Sequence, residues 1–317
     1  MPRCSGLVWW LAAAATLISP AAVAASGCEQ HQEVRIWTSP REPSPGGTLE
    51  IMAVATDDEL SGLSISDPAG RIHTPSTRAF GGPPWSLSAA VFDAKPGAYR
   101  IEARRGDRVV SCREITVGKQ RDGPAPGGEF PLRDWDLAAE ALFAAWVERL
   151  FDAPPEQSLQ FPSLEPILRD PGRNFLLDHL RRGEDKRLPA TPDCADLPYF
   201  LRTYFAWKMG LPTAYRSCTR GSSGSPPRCR APVVETAFSR APAPAASFKE
   251  HSRSLMDTVH SGSARTALAD DSTDFYPIPL ERRYLWPGTV FADPFGHVPV
   301  IVKWVPQTKG REGLLLA

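Results

Sequence analysis

Residues 193–212 read DCADLPYFLRTYFAWKMGLP, and this stretch decides the architecture of the second half of the chain. Leu197, Phe200, Leu201, Tyr204 and Phe205 recur at helical spacing, with Lys208 in the last turn, Gly210 as the stop and Pro212 just past it. The spacing predicts a helix with one apolar side. Pro198 lacks an amide hydrogen and is tolerated only near a helix start, so the helix must begin close to Cys194. A cysteine is thereby placed at the positive end of a helix dipole, where a thiolate nucleophile is favoured over a thiol. A buried, inert cysteine on the same helix is the alternative reading.

A nucleophilic thiol needs a base, and the 283–304 run RYLWPGTVFADPFGHVPVIVKW offers one. Residues 289–292 read as a strand, 293–296 as a tight turn and 298–304 as the partner strand, so His297 stands at the mouth of a hairpin. A lone histidine at a turn is more often a solvated residue. With Cys194 at a helix start, it becomes the second half of a Cys-His dyad.

At these residues the chain resembles the NlpC-type papain-like cysteine peptidases of bacterial cell walls. Asp193-Cys194-Ala195-Asp196 looks like the family's Asp-Cys-Ser-Gly helix start. Leu285-Trp286-Pro287-Gly288-Thr289 is similar to its Leu-x-Pro-Gly-Asp strand, and Gly296-His297-Val298-Pro299-Val300-Ile301 to its Gly-His-Val-Gly-Ile-Tyr strand. The resemblance covers 191–212 and 283–304. It implies a papain-like α+β domain, Cys194 as nucleophile and His297 as general base, acting on an amide in peptidoglycan peptides or in a protein. Asp196 and Thr289 depart from the family pattern, and a Pro- and Ala-rich insertion over 226–246 lengthens the Cys-to-His interval and is expected to overhang the cleft. The family's third residue, which orients the imidazole, would lie on a strand over 313–316; Asp293 and Gln307 are the fallback orienters. The apolar end Leu314-Leu315-Leu316-Ala317 suggests a reading frame cut short. Transglutaminase-like proteases form a second resemblance, because Gly210-Leu211-Pro212-Thr213-Ala214-Tyr215-Arg216 looks like their Gly-Ile-Pro-Ala-Arg segment.

Outward from this pair, Asp134 is placed to cap a helix whose apolar side includes Leu137, Ala141, Leu142, Ala145, Trp146 and Leu150. A second helix is expected over 172–182, burying Phe175, Leu176 and Leu180. Residues 119–130 contain KQRDGPAPGG, a linker that Pro and Gly keep out of regular structure. Before it, apolar-polar alternation over 33–37, 48–54, 63–65, 86–88, 97–103 and 108–112 marks about seven short strands in roughly ninety residues, the pattern of an immunoglobulin-like β-sandwich over 28–118. The fold class is α+β, a sandwich followed by a papain-like domain over 131–317.

Arg3, the apolar stretch 7–18, Pro20 and Ala22-Val23-Ala24 compose an export signal over 1–25. The expected location is periplasmic or secreted, with a lipoprotein anchored through Cys28 as a minor version and no membrane span after cleavage. Export leaves Cys28, Cys112, Cys194, Cys218 and Cys229 in an oxidising compartment. Cys28 and Cys112 lie at the two ends of the strand-rich region, and Cys218 and Cys229 bracket a turn-rich run. Pairing each couple leaves Cys194 free, although connectivity does not follow from sequence alone.

The 317 residues carry 36 basic and 36 acidic side chains, which argues against a nucleic-acid partner, whose phosphates demand a basic excess. At 42% hydrophobic the chain is too apolar for wholesale disorder despite 33 prolines. No H-E-x-x-H, G-x-S-x-G, phosphate loop or dinucleotide fingerprint is present, and no histidine pair has zinc spacing, so neither cofactor nor metal is expected. The function read from all this is an exported cysteine peptidase or amidase. A non-catalytic envelope binding protein on the same scaffold is the reading from another class.

Overall fold

Eight strands between Val34 and Val117 pair only with antiparallel neighbours and divide into two sheets. The computed structural model describes residues 27–118 and 134–317, apart from 158–159, 181, 189, 231, 239–243, 266–272 and 294–295. The signal over 1–25 and the linker over 119–130 lie outside the described residues. β1 (Val34–Ser39), β2 (Leu49–Ala55), β6 (Trp85–Val91) and β5 (Arg78–Phe80) form one sheet in that order. β4 (Ile72–His73), β3 (Gly62–Ser66), β7 (Gly97–Arg105) and β8 (Arg108–Val117) form the other. This assignment of strands to sheets is that of an immunoglobulin-like sandwich. Ile36, Ile51, Ala53 and Leu87 from the first sheet meet Leu63, Ile65, Tyr99 and Ile101 from the second in one buried cluster. β4 and β5, two and three residues long, are too short to show a period of two, and the sequence did not reveal them.

β3 alternates between buried and partly exposed, as a half-buried strand should, but β2 is buried on both faces. The cause is the second half of the chain. Trp37, Met52 and Val54 point away from the sandwich core and join the cluster built by α1 (Leu137–Leu150) and α3 (Asp196–Met209). Arg149 of α1 crosses this junction, donating to Ser88 Oγ at 2.8 Å, Glu50 Oε2 at 3.0 Å and the Pro171 carbonyl at 3.1 Å. The two predicted regions therefore share a core.

α1 is capped by Asp136, whose carboxylate accepts the Ala139 amide at 2.8 Å, so the cap lies two residues beyond the expected Asp134. The helix expected over 172–182 does not form; α2 (Glu165–Leu168) lies just before it. Side chains take the amides that such a helix would use: Leu176 donates to Asn174 Oδ1, Asp178 to Asp185 Oδ2 and Leu180 to Glu184 Oε1. Phe175 and Leu176 are nevertheless buried, and Leu180 partly so.

α3 is not one-sided. Tyr199, Thr203, Ala206, Trp207 and Lys208 are buried along with the predicted stripe, because α1, α4 (Ala245–Met256) and the strand after Gly210 pack around it. Lys208 ends between Glu184 and Asp185, with the Tyr204 hydroxyl donating to Asp185 at 2.8 Å. His179 and His251 are buried as well, with Nδ1 on Ser39 Oγ at 3.0 Å and on Thr236 Oγ1 at 2.7 Å. Gly210 stops α3 at φ 77°, and β9 (Pro212–Tyr215) pairs with β10 (Val234–Ala237) directly after it.

Candidate functional site

The turn before α3 is fixed by two carboxylates. Asp193 Oδ1 accepts the amides of Ala195 at 2.8 Å and Asp196 at 2.9 Å, and Asp196 Oδ2 accepts the Asp193 amide at 3.2 Å. With the Leu197 amide on the Asp193 carbonyl at 3.0 Å, these bonds close a reciprocal carboxylate turn over residues 193–196 that leads into α3, whose N-cap is Ala195. Cys194 lies in that turn, two residues before the first residue of α3, free and exposed, while its neighbour Ala195, the N-cap, is buried. Asp196 has the job of closing the turn, which explains a carboxylate in a place where the resemblance has glycine. Burial pushes its carboxyl up to about 6, against the Asp193 amide and with the help of the Asp193 charge.

The hairpin that carries His297 forms as a ribbon of backbone bonds. Gly288 donates to Ile301 at 2.7 Å, Ile301 to Thr289 at 2.7 Å, Phe291 to Pro299 at 2.9 Å and Asp293 to His297 at 3.0 Å. The central residues of its turn, 294–295, lie outside the described residues. Its base is pinned to α1, where a Cβ on Gly288, at φ +94°, would fall 2.5 Å from the Phe143 ring. Its tip is pinned to α3, because Val298 belongs to a buried cluster with Ala195 and Ala264, against which Val290 and Ala292 pack. The apolar neighbours of Cys194 and His297 thus share one cluster, and the two polar side chains are exposed beside it.

Cys194 and His297 line one cleft of about 570 Å³. One wall is the ribbon from His297 to Lys303, and the other comes from Phe151, Pro154, Pro155 and Phe161 after α1, with Leu197 of α3 and Leu316 of β12 (Leu314–Leu316) closing it. The lining is largely apolar. Val302 donates to Leu316, and β11 (Lys303–Val305) pairs antiparallel with β12, so the strand expected over 313–316 is present beside the His ribbon.

At the end of the cleft away from His297 stands a polar group that sequence reasoning missed. Lys303 Nζ lies 2.5 Å from Asp152 Oδ1, and Asp152 also pairs with Arg78 of β5. Burial opposes ionisation of Asp152, yet the Lys303 bond and the two cationic neighbours hold its carboxyl below the ordinary range. Glu148, one turn back on α1 and 2% exposed, is pushed up to about 8 by burial, with Lys303 and Arg282 opposing and Asp152 reinforcing the shift. The available signal was the spacing of Glu148, Asp152 and Lys303 on elements already predicted, but nothing in the sequence says that those elements meet.

Of the fallback orienters, Asp293 faces His297 across the turn through its amide and accepts Arg265 Nη2 on its carbonyl, whereas Gln307 is exposed in the β11–β12 connection; neither lines the cleft. Among the described residues of the 226–246 insertion, none lines it either. Both expected disulfides are present, Cys28–Cys112 and Cys218–Cys229. A sulfur held in a disulfide has no valence for a lipid, so the Cys28-anchored version is corrected. The Cys218 and Cys229 sulfurs approach Asp274, but as disulfide sulfurs they offer no thiolate to a metal. Among the described residues no helix is long and apolar enough to cross a membrane.

No family model matches the chain, and no curated protein matches it. Among solved structures it is similar to the first immunoglobulin domain of mouse SynCAM 2, at 17% identity over 27% of this chain and 97% of that one, with a TM-score of 0.19. The architecture described above therefore rests on this chain's own strand order, burial and hydrogen bonds.

Proposed function

We propose that the chain is an exported thiol hydrolase of NlpC-type, papain-like architecture that cleaves an amide, with peptidoglycan peptides as its substrate. The observation that carries the reading is the shared cleft: the one free cysteine among the described residues and the ribbon histidine line the same apolar groove. The His297 imidazole takes the Cys194 proton, the sulfur adds to the substrate carbonyl, and the imidazolium returns that proton to the leaving amine. Water then hydrolyses the thioester, with His297 again moving the proton. The developing oxyanion is met by the Cys194 amide. The Asp193, Ala195 and Asp196 amides already donate within the carboxylate turn. Two disulfides fit the oxidising compartment that this substrate occupies.

A second reading is favoured by one observation: two carboxylates, Asp193 and Asp196, share the turn with the thiol, where negative charge opposes a developing oxyanion. On that reading the cleft binds envelope peptides without cutting them. Iodoacetamide labelling and muropeptide digestion separate the two. Rapid alkylation of Cys194 at neutral pH, with cleavage lost in Cys194→Ala and in His297→Ala, is expected. Slow alkylation with intact muropeptides after prolonged incubation removes the hydrolase reading.

A further inference from the structure

We infer that the cleft takes the C-terminal end of an extended peptide, its terminal carboxylate resting on Lys303. Three observations carry this. The ribbon from His297 to Lys303 forms one wall of the groove, and its six residue steps span about 20 Å when extended, the length of a short peptide rather than of a compact metabolite. Phe151, Pro154, Val300 and Leu316 line it with apolar surface suited to side chains, with Gln157 and Ala317 also in the lining. Lys303 is the one cation in the lining, and two more stand behind it. Lys303 and Arg78 share the single Asp152 carboxylate, and Arg282 lies close enough to Glu148 for each to shift the other's titration. Burial favours the neutral form of Glu148 at pH 7, so an incoming carboxylate finds positive charge not already cancelled. The Lys303 side chain is 27% exposed and has three donors, of which Asp152 uses one.

The chemistry of the bond cleaved rests on the thiol-hydrolase reading, but the binding preference does not. A terminal carboxylate lies on the amine side of every amide in its peptide. Cys194 sulfur would therefore form the thioester with the upstream acyl group as the C–N bond breaks. The released amine takes the proton from His297 and departs with its carboxylate on Lys303. Water cleaves the thioester, leaving a new carboxylate on the upstream fragment and restoring the thiol. Lys303 touches substrate in this scheme but takes no part in bond making.

The test uses immobilised Cys194→Ala protein and a mixture of N-acetyl pentapeptides randomised over Ala, Val, Leu and Tyr, supplied as free acids and as C-terminal amides, with retention read by mass spectrometry. Acids are expected to be enriched over amides by about tenfold to a hundredfold, the range of a charge-assisted hydrogen bond. Lys303→Met should abolish the enrichment, Lys303→Arg should keep it, and Asp152→Asn, which frees the ammonium, should raise it if the methionine variant fails to fold. Equal retention of acids and amides, no retention of either, or enrichment that survives Lys303→Met overturns the inference. An amide peptide carrying an internal Glu that is retained as the acids are would show side-chain recognition and overturn the terminal assignment. Digestion by the unsubstituted protein keeps the two readings apart. Rapid alkylation with equal cleavage of acids and amides sinks only the Lys303 site, and acid enrichment with slow alkylation and no cleavage sinks only the hydrolase.

Discussion

Gly288 lies so close beneath Phe143 that a Cβ there would fall 2.5 Å from the ring edge, which ties the root of the His297 ribbon to the middle of α1. Space and dihedral angle both demand glycine, since φ is +94°. Gly288→Ala is expected to cost on the order of 1–3 kcal/mol and to move the ribbon off α1. The check is a urea titration together with the alkylation rate of Cys194. Adding Phe143→Leu should recover part of the stability by relieving the clash, while leaving the positive-φ strain in place. Full tolerance of alanine, with no change in either measurement, would show that the ribbon is not anchored there.

Glu148 gives the chain a pH-dependent stability. Its folded carboxyl is pushed up to about 8 by burial from an ordinary value of 4.5, so between those values the folded state holds a proton that the unfolded state has released. The contribution of this one group is therefore fully present below about pH 4.5, is lost as pH rises towards 8, and is flat beyond. The penalty is on the order of 3–4 kcal/mol once structural relaxation trims the full linkage value. Glu148→Gln keeps the shape without the charge and should flatten this slope in urea midpoints measured from pH 5 to 9. A variant that loses stability in parallel with the parent over that range would show that another group is responsible.

Much of this architecture is legible in the sequence, and the failures share a cause. Alternation in β3 and β7 marks half-buried strands, and Pro198 and Gly210 mark the two ends of α3 to within a few residues. The expected pairings of Cys28 with Cys112 and Cys218 with Cys229, suggested by where each couple brackets its region, are the ones present. What local patterns cannot show is which surface another element will cover. β2 is buried on its outer face because α1 lies there, α3 is surrounded rather than amphipathic, and residues 174–180 are held in turns by the side chains of Asn174, Glu184 and Asp185. Lys303 and Asp152, 151 positions apart, meet for the same non-local reason.

Lys208 is fully buried between Glu184 and Asp185, and its ammonium stacks against the rings of Tyr204 and Trp207 at 5.0 and 4.5 Å. Removing the cation leaves two carboxyl groups facing each other in the core. Lys208→Met is expected to cost about 3–5 kcal/mol in urea unfolding at pH 7. Protonation of the orphaned acids relieves the repulsion, so the deficit should narrow towards pH 5. Adding Glu184→Gln and Asp185→Asn to Lys208→Met should recover most of the loss, and failure of that triple variant to recover any would assign the cost to packing instead of charge.

The last prediction concerns the charge beside the thiol. Asp193→Ala removes the acceptor for the Ala195 and Asp196 amides, and a side-chain acceptor lost at a helix start costs about 1 kcal/mol. Asp196→Asn should act in the opposite direction. The folded Asp196 carboxyl is raised to about 6 by burial, so the parent loses stability as pH climbs from about 4 to 6, and the neutral amide escapes that loss while still accepting the Asp193 amide. Solvent screening at this helix end limits the gain to about 1 kcal/mol above pH 6. The same substitution removes a negative charge two residues from Cys194, so iodoacetamide should react severalfold faster at pH 7, whereas at pH 5, where Asp196 is mostly protonated in the parent, the two rates should converge. If the alkylation rates of parent and Asp196→Asn are equal at pH 7, the carboxylate does not reach the sulfur electrostatically, and the charge argument for the binding reading falls with it.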